Sequence, residues 1–89
     1  MLPTQHATIR MQQRGIPQQV VRNIIEHGTT RKAPGGAVAR FVSKKDLQRL
    51  SRLLPKNECT QLDRHKSVYV VMSEESIITV GHRTKRFYR

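Results

Sequence analysis

The sequence predicts an α+β domain with helices packed on one face of an antiparallel sheet, and three observations predict it. Val20, Val21, Ile24 and Ile25 recur at helical spacing in the first half. Val68-Tyr69-Val70-Val71-Met72 and Ile77-Ile78-Thr79-Val80 are apolar runs rich in β-branched residues in the second half. The order is helix, helix, strand or loop, helix, then strands, with no strict βαβ alternation, and this separates α+β from a parallel α/β sheet.

Each element has a local reason. Thr4 is placed to cap a first helix running to about Arg14 and ended by Gly15, after which Ile16-Pro17 opens a second. The stripe of Val20, Val21, Ile24 and Ile25 must be buried, and Gly28 supplies the stop. Thr29 to Ala33 and Ala37 to Val42 flank Pro34-Gly35-Gly36, a turn combination that predicts a hairpin or a mobile loop. Ser43 caps a third helix, with Asp46 at its positive end; Leu47, Leu50 and Leu54 form its buried edge with Leu53 beside them, and Pro55 stops it. From Gln61 onward the pattern reads as strands. The first apolar run is expected to be buried on both faces, and the polar link Ser73 to Ser76 makes the two runs an antiparallel hairpin at the centre of the sheet.

The 89 residues leave room for one domain, 1–89, and no repeat, linker or low-complexity segment divides them. Seventeen Lys and Arg against six Asp and Glu give a net charge of +11, more than solubility requires of so short a chain. A charge of this size attracts phosphate backbones or anionic lipid heads; lipid binding would also need an amphipathic helix with bulky apolar anchors, and none is visible. The N-terminal residues lack the pattern of an export signal, and the longest apolar run is too short to span a membrane. Cys59 has no second cysteine to pair with. The expected setting is therefore cytoplasmic, with no membrane association. His6, His27, His65, His82 and Cys59 show no metal-ligand spacing, so neither a metal site nor a cofactor is expected.

The charge is polarised: residues 1–25 and 76–89 contain no acid. In the first helix His6, Arg10 and Arg14 step about 40° apart and line one ridge, while Ala7 and Met11 take the adjoining side. The segment Gly81-His82-Arg83-Thr84-Lys85-Arg86-Phe87-Tyr88-Arg89 follows a core strand directly. Arg and Lys neutralise phosphates, and an aromatic ring or a guanidinium plane stacks on an unpaired base, so this end suits RNA. Other candidates have plainer readings. Lys44, Lys45, Arg49 and Arg52 lie opposite the leucines of the third helix as its solvated face. His27 favours the negative end of the second helix. Gly35-Gly36 lacks the surroundings of a phosphate loop, and Cys59 reads as part of a polar loop with no nucleophilic role.

The stretch His6-Ala7-Thr8-Ile9-Arg10-Met11-Gln12-Gln13-Arg14-Gly15-Ile16, followed by a helix and ending in Ile77-Ile78-Thr79-Val80 and basic residues, resembles a family of small bacterial domains of unknown function. That family is grouped with the RelE-like toxins in the barnase, EndoU and RelE fold group. The resemblance covers most of the chain and implies a RelE-like fold with a curved antiparallel sheet. It also implies metal-independent ribonuclease activity and a toxin neutralised by a cognate antitoxin. In RelE-like toxins basic residues on the central strands, with an aromatic or histidine near the C-terminus, act on messenger RNA in the ribosome. Here the central strands carry almost no charge, and only Arg83, Lys85, Arg86 and Tyr88 could match that set. In the EndoU-type layout histidines with a Thr or Ser and a basic residue serve, and His6, His82 and Thr79 could correspond.

Metal-free cleavage of RNA needs a base for the 2′-OH proton, an acid for the departing 5′-oxygen and fixed cations on the phosphoryl oxygens. His6 and His82 are the candidate acid and base in either order, with Arg10, Arg83 and Arg86 as phosphate clamps and Tyr88 as stacking residue or alternative acid. Arg14, Thr79, Lys85, Arg86 and Arg89 are the further RNA-binding candidates. The assignment requires the first helix to pack beside the C-terminal strand, with the imidazoles within about 12 Å. Two alternatives stay open: a non-catalytic toxin similar to the ParE relatives of RelE, which bind a protein target, and a plain RNA-binding module. The expected partners are RNA, free or ribosome-associated, and an acidic antitoxin.

Overall fold

The computed structural model describes residues 2–74 and 76–82. In chain order the elements are β1 (Leu2–Pro3), α1 (Gln5–Gln13), α2 (Gln18–His27), β2 (Thr29–Lys32), β3 (Val38–Phe41), α3 (Lys44–Leu50), α4 (Lys56–Arg64), β4 (Val68–Ser73) and β5 (Ser76–His82). The four longer strands form an antiparallel sheet in the order β5-β4-β3-β2, and β1 adds a two-residue parallel pairing on the outer edge of β5. An α+β architecture is thus what the sequence encodes.

The local signals act largely as expected. The Thr4 hydroxyl accepts from the Ala7 N–H at 3.2 Å and caps α1, and Gly15 at φ 62° turns the chain toward α2. The Pro34–Gly36 turn joins β2 to β3 as a hairpin. Ser43 and Asp46 form a reciprocal capping box at the start of α3. The α2 stripe is buried as its spacing requires: Val20, Val21 and Ile24 enter one core with Ala7 and Met11 of α1, Leu50 of α3 and Leu62 of α4. Val68, Val70 and Met72 of β4 and Ile77 and Val80 of β5 supply the sheet side of that core. Burying one such side chain contributes about 1.5–3 kcal/mol, so this shared layer holds the helices to one face of the sheet.

Four points differ from the sequence reading. Pro55 does not end a helix before a loop; it is the N-cap of α4, where a missing N–H costs nothing, and Cys59 lies inside that helix with its thiol 3.4 Å from the Leu50 carbonyl. Helix α3 stops at Leu50, and hydrogen-bonded turns carry the chain on to Leu54. Leu53 is therefore turned out and 63% exposed, whereas Leu47 and Leu54 are partly buried against the core. Strand β4 alternates between buried and half-buried residues, so only one of its faces belongs to the main core. Strand β1 was not expected at all.

The register of β5 decides where its side chains point. Val70 faces Val80 and Val71 faces Thr79, but Met72 faces Ile77, so Ile78 is an extra residue, a β-bulge. The bulge lets both Ile77 and Val80, three residues apart, reach the core. Beyond it the period of two resumes, and His82 comes opposite Val68 on the helix-bearing face.

Candidate functional site

Two hydrogen bonds fix the end of the sheet where β4 begins and β5 finishes. Helix α4 is capped by His65, whose N–H bonds to the Gln61 carbonyl, and the Val68 N–H returns to the His65 carbonyl at 3.0 Å. This tight turn sets His65 and Ser67 beside the first residue of β4. Because β4 and β5 pair with Val68 opposite His82, His82 arrives at the same place from the other strand. Ser67 Oγ lies 2.8 Å from His82 Nδ1, and the rings of His65 and His82 have centroids 6.5 Å apart, tilted by 38°.

The surroundings of His65 disfavour its charged form. Burial lowers the His65 pKa below its ordinary value, and the His82 imidazole and the Arg64 guanidinium lower it further by disfavouring a second positive charge. His65 is held neutral near pH 7 and is able to accept a proton. When His82 carries the positive charge, its Nδ1–H donates to the Ser67 oxygen, leaving Nε2 as the nitrogen not engaged by Ser67. A neutral imidazole next to a hydroxyl-anchored imidazole is the complement needed for concerted acid–base chemistry. The exposed side chains of Arg64 and Lys66 flank the turn and add positive potential.

The residues picked from sequence are spread more widely. His6 and Arg14 are exposed on α1, Arg10 is half-buried, and Ala7 and Met11 turn inward, as the ridge reading expects. Helix α1 packs along β5, yet it enters there from the far end: the Thr4 N–H donates to the Ile77 carbonyl and the Thr4 hydroxyl to the Ile78 carbonyl. From Ile77 to His82 is five residues of strand, roughly 15 Å at the usual rise. His6, two residues past Thr4 in the first turn of α1, therefore sits toward the end of β5 opposite His82. Thr79 pairs with Val71 on the face away from His82. Arg83, Lys85, Arg86, Tyr88 and Arg89 lie outside the described residues.

Sequence reasoning missed His65 and Ser67. Only the pairing of β4 with β5 brings them to His82, and no local motif marks them. Among the described residues no set of three or more His, Cys, Asp or Glu side chains is placed to hold an ion. No helix among the described residues is long and apolar enough to cross a membrane. No family model matches the chain, and neither a curated protein nor a solved structure shows significant similarity to it.

Proposed function

We propose that this domain is a metal-independent endoribonuclease that cleaves RNA by 2′-hydroxyl attack at the His65–His82 end of its sheet. The observation that carries the reading is the pair of imidazoles 6.5 Å apart, one of them anchored by Ser67, in a chain of net charge +11. In this scheme neutral His65 takes the proton of the 2′-hydroxyl while that oxygen forms a bond to the adjacent phosphorus. The bond from phosphorus to the 5′-oxygen breaks, and His82 gives its proton to the departing oxygen. The products are a 2′,3′-cyclic phosphate and a 5′-hydroxyl. Arg64, whose guanidinium acts on His65 and stays charged at every working pH, offsets the charge that builds on the phosphoryl oxygens.

The helices gathered on one face of four antiparallel strands, together with the sequence resemblance, support a RelE-like reading of the fold. That reading brings with it a toxin setting and an acidic antitoxin as partner. In this reading His65 takes the place of His6 as the partner of His82 in the acid–base pair, because His65 is the imidazole that shares the end of the strand with His82.

The test is to incubate the purified chain with RNA in the presence of a chelator and to determine the new termini. Cyclic phosphates and 5′-hydroxyls are expected, and His65→Ala and His82→Ala should each slow cleavage by about 10²- to 10⁴-fold while leaving RNA affinity nearly intact. Retained cleavage in His65→Ala would remove it as the base. Growth arrest on expression in a bacterial host, without new RNA ends, would point instead to a ParE-like toxin with a protein target.

A further inference from the structure

Helix α3 and its flanks carry a second concentration of charge, away from the histidine pair. An open cleft of about 440 Å³ is lined by Lys45, Gln48, Arg49, Arg52 and Leu53, and a neighbouring one of about 480 Å³ by Thr29, Arg31, Phe41, Ser43, Lys44 and Lys45. Lys45 belongs to both, so the two clefts form one continuous cationic surface. From sequence these residues read as the solvated back of an amphipathic helix. A solvated back normally mixes signs, and this one does not. Its only carboxylate, Asp46, is turned inward: it accepts from the Thr29 hydroxyl at 2.7 Å and from the Ser43 N–H at 2.9 Å, and pairs with Arg49 at 3.3 Å. Lys44, Lys45 and Arg52 are exposed and make no ion pair among the described residues. By contrast, the groove between α1 and α2 sets Arg22 beside Glu26 over an apolar floor that includes Met11 and Ile77, and presents no comparable field.

We infer that the surface formed by Lys44, Lys45 and Arg52, with Arg49 held between them, is a docking site for the phosphate backbone of RNA, separate from the histidine pair. The inference rests on the RNA-directed reading above and adds where the strand runs beyond the point of cleavage. Lys45 and Arg49, at i and i+4, share one side of α3, and Arg52 in the turn just after the helix lines the same cleft. A strand whose charges repeat about every 3.4 Å can meet these cations with more than one phosphate. Arg49 is fixed by its bonds to the His27 carbonyl at 2.9 Å and to Asp46, so one cation of the surface is held in position before RNA arrives. Leu53, 63% exposed in the same cleft, offers an apolar flank for a sugar or base. A lone leucine is too little for a lipid surface, where binding scales with the apolar area inserted. An acidic protein would be drawn by charge alone, but the continuous surface suits a regularly spaced polyanion better.

The experiment compares the wild-type chain with Lys44→Gln/Lys45→Gln/Arg52→Gln, a variant that keeps Arg49 and Asp46 and hence the contacts that hold α3. Affinity for a short mixed-sequence RNA duplex and for a single strand is measured across a salt series. Each phosphate contact contributes about 0.9 to the slope of log K against log salt for a B-form DNA duplex and about 0.7 for a single strand, so the variant should flatten the slope by about 2. Cleavage at saturating RNA should stay unchanged, because the variant leaves His65 and His82 in place. An unchanged slope in a variant with wild-type circular dichroism would overturn the inference while leaving the ribonuclease reading untouched. Loss of binding to anionic phospholipid vesicles, with RNA binding intact, would also overturn it. A wild-type chain that binds no RNA would overturn both readings together.

Discussion

At the scale of single residues, Gly28 and Asp46 show how much a local signal leaves unsaid. Gly28 is legible as a helix stop, but its backbone is extended, at φ −80° and ψ 174°, and so does not use the left-handed freedom that usually explains such a glycine. What requires glycine is space: a Cβ there would lie 2.5 Å from the Ile24 carbonyl oxygen and 2.7 Å from that of Phe41, both main-chain atoms that cannot swing aside. Gly28→Ala should therefore cost at least the 1–3 kcal/mol of an overpacked site, measured by urea unfolding; a cost below about 0.5 kcal/mol would show that the backbone relaxes freely. Asp46 is legible as a favourable charge at a helix start, whereas its bond to Thr29 on β2 belongs to the tertiary structure. Burial alone raises its carboxyl pKa, but the bonds from Ser43, Thr29 and Arg49 outweigh that and hold it below the usual carboxylate value. As pH falls the unfolded chain takes up this proton first. The stabilisation is fully present above the unfolded Asp value of about 3.9 and is lost as pH falls through the lower folded value. Asp46→Asn should remove that part of the acid dependence, seen as a shallower fall of stability with pH, and an identical pH profile would count against the bond network.

Between elements, what decides legibility is whether a signal is local. The α1 cap, the α2 stripe, the Pro34–Gly36 turn and the β4–β5 hairpin all rest on residues within a few positions of each other, and all are readable in advance. Helix α4 is not, because Pro55 serves equally as a stop and as a start, and the polar sequence that follows buries only Leu62 fully. Glu58 in its first turn was the available clue. That residue also docks the helix: Glu58 Oε1 accepts from the Asn23 side-chain amide at 3.0 Å and from the Gln19 amide at 3.3 Å, and Asn23, only 3% exposed, has its amide satisfied across the α2–α4 interface. Glu58→Ala leaves a buried amide without this acceptor and should cost about 1–3 kcal/mol, while Gln19→Ala, which removes only the longer bond, should cost less. Equal losses would mean that the Asn23 bond is not what holds α4. The histidine pair was hidden for a related reason. His65 and His82 are seventeen residues apart and meet only through the β4–β5 register, which in turn depends on the bulge at Ile78.

For the whole molecule, the net charge of +11 and the histidine pair have separable consequences. Charge sets how tightly a polyanion is held and how steeply salt weakens it, and it does so at every working pH because Arg and Lys remain protonated. The histidines instead set a window of pH. In the proposed reaction His65 must be neutral and His82 protonated, so kcat/KM for a short RNA should follow a bell whose acid limb reports His65 in the free protein. Burial, His82 and Arg64, in that order, all lower the His65 pKa, so the acid limb should fall below the ordinary histidine value of about 6.5. The same lowering links to folding: the unfolded chain protonates His65 first as pH falls, so its contribution to stability is present above the ordinary histidine value and lost as pH drops through the folded value. Arg64→Gln removes one of the three causes and leaves the other two. It should move the acid limb upward, toward the ordinary value, and should also weaken RNA binding by about one phosphate contact in the salt series. The two effects have different origins and need not scale together. An acid limb that lies at or above the ordinary value in the wild-type chain, or that does not move in Arg64→Gln while the salt slope does, would leave His65 as part of the binding surface and the base to be sought elsewhere.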